Sequence, residues 1–370
     1  MIKKEFISDW TKEKIGLPAD APLTRETLEA YQVKKLRETV AMAKKNSTFY
    51  GRLFASVDPE RDIMSTKDMQ KLPFTSPADL LAEEEGLLCV RPGEISRIVT
   101  LETSGTQGKP KRVYFTKEDQ ELTTAYFWIG LHNMADDTDR ALILLPCRRP
   151  GSVGDLFRIG AERMDVFTIP YGLPGMRELE RGNKGNGRGE TFKQELEELL
   201  KLMAEKDVTF ILGIPGQVAA LAQLWTEKRA AAQDPLIVER LEKVKASMRT
   251  VLLTADYVSA EARNAIETAW ECKIFEHYGM TEMGLGGAVS CYVLDGYHYR
   301  EADLFFEIIN PETGELVKDG EYGEIVFTTL TRKGMPFIRY RTGDRSRFLT
   351  EPCPCGCILK RLERVGPREK

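Results

Sequence analysis

Four short stretches of the chain concentrate residues that can do chemistry. The first is Thr103-Ser-Gly-Thr-Gln-Gly-Lys-Pro-Lys111. Gly105 and Gly108 permit tight backbone turns, Thr103, Ser104 and Thr106 offer hydroxyls, and Lys109 and Lys111 offer cations. Backbone and hydroxyl donors combined with fixed positive charge favour anionic oxygens, so this mixture can enclose a polyphosphate. It is not a Walker A loop: the spacing is G-x-x-G-K-P, and Pro110 does not fit the helix start which that motif needs. A polar turn with two solvated lysines is the competing reading of these residues alone.

Two further stretches, Tyr278-Gly-Met-Thr-Glu282 and Tyr340-Arg-Thr-Gly-Asp344, each place an aromatic, a hydroxyl and a carboxylate within five residues. The fourth group is Cys291, His298 and the closely spaced Cys353, Cys355 and Cys357. Three thiolates and one imidazole satisfy tetrahedral zinc, with Cys291, His298, Cys353 and Cys355 as the first choice and Cys357 able to replace Cys355. A closed set of this kind would be structural. Free thiols beside a surface histidine are the competing reading. Cys147, Arg148 and Arg149 follow the apolar run ALILLP, where an anionic substrate could use the arginines and a solvated basic turn is the plainer account.

These residues need a scaffold, and the composition allows one. The chain has 370 residues, 42% hydrophobic and 30% charged, which is a globular composition large enough for two or three domains or subdomains. With 53 Lys and Arg against 57 Asp and Glu, the formal charge of −4 gives no global reason to bind nucleic acid or an anionic membrane. No apolar run approaches the roughly 18 residues of a membrane span. The opening MIKKEFISDW lacks a signal peptide's apolar core, so a cytoplasmic protein is expected.

Residues 24–46 show helical spacing of apolar side chains, and 119–134 form a second helical pattern. ALILLP, MDVFTI, TFILGI and TVLLT have the length and branching of strands buried on both faces. Helical patterns at GETFKQELEELLKLMAEK, PGQVAALAQLWTEKR and SAEARNAIETAW separate the later strands. This alternation predicts an α/β protein with a parallel sheet. Residues 171–190 hold six glycines and read as a surface loop. From about Cys291 the pattern turns to β runs, YHYREADLFFEIIN, GEIVFTTL and FIRYR. The expected division is therefore 1–290 as an α/β core, with a helical segment over 1–50, and 291–370 as a β-rich subdomain with the zinc site.

The glycine-rich loop, YGMTE and YRTGD, in that order, resemble the motifs of the adenylate-forming superfamily of acyl-CoA synthetases, aryl-CoA ligases and luciferases. Thr254-Ala-Asp256 stands where those enzymes carry a Gly-Gly-Glu-like turn. MPFIRYRTGD and the CPCG near the end look most like phenylacetate-CoA ligases and coenzyme F390 synthetases. The resemblance implies an acyl-CoA synthetase-like large domain with two αβ sheet subdomains and a β-barrel-like subdomain. The family normally continues past a hinge into a small mobile domain, and RLERVGPREK lies about where that hinge begins, so the small domain is expected to be absent here.

By the same resemblance, Ser104, Gly105, Thr106, Gly108 and Lys109 hold the β- and γ-phosphates of ATP, Thr281 bonds the α-phosphate and Glu282 holds Mg²⁺. Lys109, Thr281 and Glu282 are the expected catalytic residues. Tyr278 packs on adenine and Asp344 accepts from the ribose hydroxyls, which suits a carboxylate facing a vicinal diol. Thr103, Lys111, Ala255, Asp256 and Gly279 complete the nucleotide set, while His277 is open between substrate contact and core. The implied activity is AMP-forming activation of an aryl or bulky carboxylic acid, with CoA, a carrier protein or another partner as acceptor and homodimerisation left open. A catalytically idle nucleotide-binding module is the alternative, and acyl transfer onto Cys147 or Cys357 is a third reading.

Overall fold

The computed structural model describes residues 6–101, 110–173 and 188–366. The strands in chain order are β1 (Arg97–Leu101), β2 (Lys111–Phe115), β3 (Arg140–Ile143), β4 (Phe167–Pro170), β5 (Phe210–Gly213), β6 (Thr250–Leu253) and β7 (Lys273–Tyr278). They continue with β8 (Ala288–Val289), β9 (Tyr297–Tyr299), β10 (Leu304–Ile309), β11 (Gly323–Thr329), β12 (Tyr340–Ser346), β13 (Phe348–Leu349) and β14 (Arg361–Leu362). The chain divides into two compact units, one of Met1–Tyr126 with Tyr278–Lys370 and the other of Phe127–His277. This differs from the expected 1–290 and 291–370 division. The β-rich segment has its apolar partners in the N-terminal helices: Leu36, Val40, Tyr50 and Phe54 share one cluster with Phe306, Phe327, Phe337 and Tyr340.

The unit of residues 127–277 holds the parallel sheet that the alternation predicts, in the order β7-β6-β5-β3-β4. Leu142 faces Ile211 across β3 and β5, Leu212 faces Leu252 across β5 and β6, and Leu252 faces Phe275 across β6 and β7. Every residue of β5 and β6 is buried, which is why these strands are continuous apolar runs instead of alternating ones. The helices Arg188–Glu205, Pro215–Ala231 and Ala260–Trp270 cover the sheet with Leu199, Met203, Val218, Leu221, Ile266 and Trp270. The helix Pro235–Ser247 was not foreseen, since its exposed Leu236 and Ile237 blur the apolar stripe.

In the other unit the sheets are antiparallel. The β1-β2 hairpin pairs Thr100 with Arg112 and Leu101 with Lys111, flanking the glycine-rich stretch. β10, β11 and β12 form a three-stranded sheet in which Phe306 faces Phe327 and Val326 faces Arg341. β8, β9, β14 and β13 pair in that order. The helix Arg25–Asn46 begins where Thr24 caps it with its side chain.

Two β runs are placed differently from the sequence expectation. YHYREADLFFEIIN is two strands, broken at Arg300–Asp303, because the charges there are buried against the N-terminal helices. Arg25 Nη1 lies 2.7 Å from a Glu301 carboxylate oxygen, Lys14 pairs with Asp303, and Tyr31 donates to Ala302 O at 3.1 Å. FIRYR contributes only its end to β12, which starts at Tyr340. The expected loop at 171–190 lies largely outside the described residues.

The strand start at Tyr340 is braced by a buried ion pair. Arg339 donates through Nε and Nη2 to Glu307 at 3.0 and 2.9 Å and through Nη1 to Gln70 O at 3.1 Å. Burial pushes the Glu307 carboxyl up, and the Arg339 guanidinium opposes that shift. Removing one member of such a pair leaves a buried charge uncompensated. Glu307→Leu is expected to cost about 3–5 kcal/mol in urea unfolding. A loss below about 1 kcal/mol would show that the pair contributes little.

Candidate active site

β7 ends at Tyr278, and the chain turns through Gly279 and Met280 into a single tight turn of helix, Thr281–Met283. Gly284 and Leu285 follow with φ of +81° and +68°, the left-handed region that closes the turn. Gly284 N donates to Thr281 O, and Met283 N and Leu285 N both donate to Met280 O, each at 3.0 Å. Thr281 and Glu282 are therefore held in a fixed, buried turn.

One oxygen of the Glu282 carboxylate accepts from Lys111 Nζ at 3.0 Å and from Tyr340 OH at 3.0 Å. The Glu282 side chain is only 1% exposed and that of Lys111 20%. The lysine comes from β2, the glutamate from the turn after β7, and the tyrosine from the start of β12, so three of the sequence motifs meet at one carboxylate. Tyr340 was in a motif yet carried no expected role. Its signal in the sequence was its place at the head of YRTGD.

Asp344, on β12, accepts a hydrogen bond from Tyr278 OH at 3.0 Å, and both residues are nearly buried. Gly343 has φ +72°, which lets the strand bend there, and its N–H donates to Glu324 Oε1 at 3.1 Å. Asp344 N in turn donates to Thr342 Oγ1 at 3.0 Å. The Tyr278 ring belongs to the apolar cluster of its unit. Thr103, Ser104, Gly105, Thr106, Gly108 and Lys109 lie outside the described residues.

Ala255, Asp256 and His277 belong to the other unit. There they stand at the carboxyl ends of β6 and β7, the end of an open parallel sheet where ligands bind. Ala255 has φ +71° without being glycine, and Asp256 Oδ1 accepts from Tyr257 N at 2.8 Å. His277 Nδ1 lies 2.8 Å from Thr254 Oγ1, and its ring is edge-on to Phe127 and Phe157. Cys147 is half-buried, and burial pushes its thiol up, away from the thiolate form a nucleophile needs.

The four Cys/His residues of the expected zinc set also come together. The Sγ atoms of Cys291, Cys353 and Cys355 and one ring nitrogen of His298 lie within 4.8 Å of one another. Cys291 Sγ is 3.7 Å from Cys353 Sγ, and Cys355 Sγ is 3.4 Å from His298 Nε2. His298 Nδ1 is 3.0 Å from Leu359 O, a carbonyl that can only accept, so Nδ1 carries the proton and Nε2 is left as the ligand atom. Hydrogen bonding to Cys355, then burial, pushes the Cys291 thiol up to about 12. Cys357 instead accepts from Ser8 Oγ at 3.3 Å.

A family model described as AMP-binding enzyme matches residues 188–330. The chain is 27% identical over 351 residues to a phenylacetate-coenzyme A ligase of Thermus thermophilus, covering 93% of this chain and 70% of that protein. It is 29% identical over 352 residues to the Aromatoleum evansii enzyme of the same name, covering 93% and 71%. Among solved structures, a 2-hydroxyisobutyryl-CoA ligase in complex with 2-HIB-AMP and CoA matches with a TM-score of 0.76 at 19% identity, over 95% of this chain and 72% of that one. This last likeness concerns the fold. No helix among the described residues is long and apolar enough to cross a membrane.

The shared carboxylate makes Lys111 and Glu282 energetically dependent on each other. A double-mutant cycle of Lys111→Met and Glu282→Gln, read by denaturant unfolding, is expected to return a coupling of about 1–3 kcal/mol. Additivity within about 0.3 kcal/mol would mean that the ion pair does not hold the turn.

Proposed function

We propose, from the premise that this is an adenylate-forming, phenylacetate-CoA ligase-like chain, that the protein joins a carboxylic acid to AMP with release of pyrophosphate and passes the acyl group to CoA. The observation that carries the reading is the meeting of Lys111, Glu282 and Tyr340, in the same unit as the Tyr278–Asp344 pair. In acyl-adenylate formation a carboxylate oxygen attacks the α-phosphorus while pyrophosphate leaves, and charge spreads over oxygens that fixed cations and donors must stabilise. The relatives at 27% and 29% identity, both named phenylacetate-coenzyme A ligase, support an acid substrate and CoA as acceptor, and do not favour an idle module.

In this reading Asp344 accepts from the ribose hydroxyls, and Tyr278 both orients that carboxylate and offers its ring to adenine. Thr281 donates to the α-phosphate. Lys111 stands at the end of the glycine-rich stretch, whose Thr103, Ser104, Gly105, Thr106, Gly108 and Lys109 take the β- and γ-phosphates. Glu282 would hold Mg²⁺, which neutralises phosphate charge when bound. Gly279, in the same turn, would lie against the nucleotide through its backbone. The same reading assigns Ala255, Asp256 and His277, in their own unit, to nucleotide contact.

Zinc is the metal that the Cys291, His298, Cys353 and Cys355 set fits. Three sulfurs and one nitrogen suit tetrahedral Zn²⁺, which binds cysteine as thiolate and releases its proton. With four protein ligands the site would contribute folding energy and leave no open position for chemistry.

Two experiments check the reading. Incubation with ATP, Mg²⁺ and a panel of aryl and alkyl carboxylic acids should release pyrophosphate with at least one acid, and Lys109→Ala should slow it about 10²–10³-fold. Silence across the panel from folded protein that binds ATP would reject the activity. Separately, elemental analysis of protein purified without chelator should find about one zinc per chain, and Cys353→Ser should lower the melting temperature by roughly 5–10 °C. Protein free of zinc that melts like the metal-supplemented form would rule out a structural ion.

A further inference from the structure

The turn that carries Thr281 and Glu282 is held from behind by side chains that no sequence motif marked. Three successive carbonyls are each occupied by a different buried donor. Arg332 Nη1 donates to Glu282 O at 2.8 Å, Arg300 Nη2 donates to Met283 O, and Thr123 Oγ1 donates to Gly284 O at 2.7 Å. All three donors are buried. Peptide carbonyls are ordinarily satisfied by neighbouring backbone N–H groups, so three in a row served by side chains from three distant segments is an unusual investment in one short turn.

Arg332 does more than fill a gap. Its second nitrogen, Nη2, donates to Tyr114 O at 2.9 Å, and Tyr114 is on β2, three residues beyond Lys111. The guanidinium lies 4.3 Å from the Phe115 ring centroid and 5.5 Å from that of Phe337, so its plane is fixed as well as its ends. Among the described residues no carboxylate forms an ion pair with it. Burial pulls its pKa down to about 10, yet it stays charged near neutrality. Its hydrogen bonds nevertheless go to the two carbonyls, with the Asp119 and Glu282 carboxylates offsetting its charge from further off, so its place in the fold is that of a bridge between two backbone segments.

We propose that Arg332 is a positioning residue for the adenylation step. By bridging Tyr114 O and Glu282 O it fixes the distance between the strand bearing Lys111 and the turn bearing Thr281 and Glu282, and so sets the geometry at which a metal–triphosphate is gripped. This inference rests on the activity proposed above. Lysine at the position keeps the charge but offers a single point donor in place of the planar fork, so it does not hold the two carbonyls at the spacing the guanidinium sets.

The test compares the parent with Arg332→Lys by pyrophosphate release at saturating ATP and acid, titrated with Mg²⁺, alongside melting temperature. In the Lys variant the Mg²⁺ midpoint should rise about tenfold and kcat should fall about 10–100-fold, since displacements near 1 Å at a reacting centre cost rates of that order. The KM for the acid should change less than about threefold, because the acid does not meet the bridged carbonyls. Partial unfolding would lower kcat but leave the Mg²⁺ midpoint where it was. A folded Lys variant whose midpoint and kcat match the parent's within about twofold overturns the proposal. If Arg332→Lys does not fold, Arg332→Gln, which can still serve one carbonyl, is read in the same way. Failure of both to fold makes Arg332 a core brace and ends the positioning role. A parent silent on every acid removes the activity itself, and the inference with it.

Discussion

A carboxylate withdrawn from water must be matched, and much of one unit is arranged around meeting that demand at Glu282. The glutamate is almost wholly buried, and a buried unpaired carboxylate would cost several kcal/mol or take up a proton. Lys111 and Tyr340 supply a cation and a hydroxyl to a single oxygen. Satisfying that oxygen fixes the relative places of β2, the turn after β7 and the start of β12, three segments more than 50 residues apart in the chain. Charge-assisted hydrogen bonds lose strength steeply with geometry, so the requirement constrains the backbone far more tightly than apolar packing would.

Other buried charges extend the same logic outward. Arg339 and Glu307 pair just before Tyr340, and Arg339 also binds carbonyls of the segment around Leu72. Lys14 and Arg25 answer Asp303 and Glu301 in the break between β9 and β10. The Lys14 and Arg25 pairs, and the bonds of Arg339 to Gln70 O and Leu72 O, join an N-terminal segment to the β-rich one, which explains why these parts of the chain form one unit although the parallel sheet of residues 127–277 intervenes in sequence. Apolar burial provides the bulk of the stability there, and the polar pairs select the arrangement.

The sequence made the chemistry more legible than its framing. Glu282, Asp344 and Tyr278 could be singled out because they stand in short motifs with a fixed order, and the parallel strands because burial on both faces leaves unbroken apolar runs. The break at Arg300–Asp303 could not be seen. A run of charged residues ordinarily marks a solvated turn, and here only the N-terminal helices, more than 250 residues away in the chain, make its burial tolerable. Arg332 was hidden for the same reason: an arginine beside a lysine and a glycine reads as a surface loop until its two carbonyl partners are known. The boundary expected at 290 marked a change of local pattern, from helices to strands, and local pattern does not record which distant segment a strand packs against.

The cysteine and histidine cluster is best understood in relation to that framing. Cys291 lies two residues after β8, His298 is in β9, and Cys353 and Cys355 precede β14. His298 pairs in register with Val289 on one side and with Arg361 on the other. β8, β9 and β14 are two or three residues long, too few ladder bonds to hold a sheet of this kind alone. A tetrahedral ion joining the segments around all three strands would supply the missing constraint by coordination, in the way small domains with thin cores use metals. The turn bearing Glu282 leads directly into β8, only three residues after Leu285. The proposed metal and the buried carboxylate would thus act on one length of chain, the metal fixing its far end and Lys111, Tyr340 and Arg332 its near end.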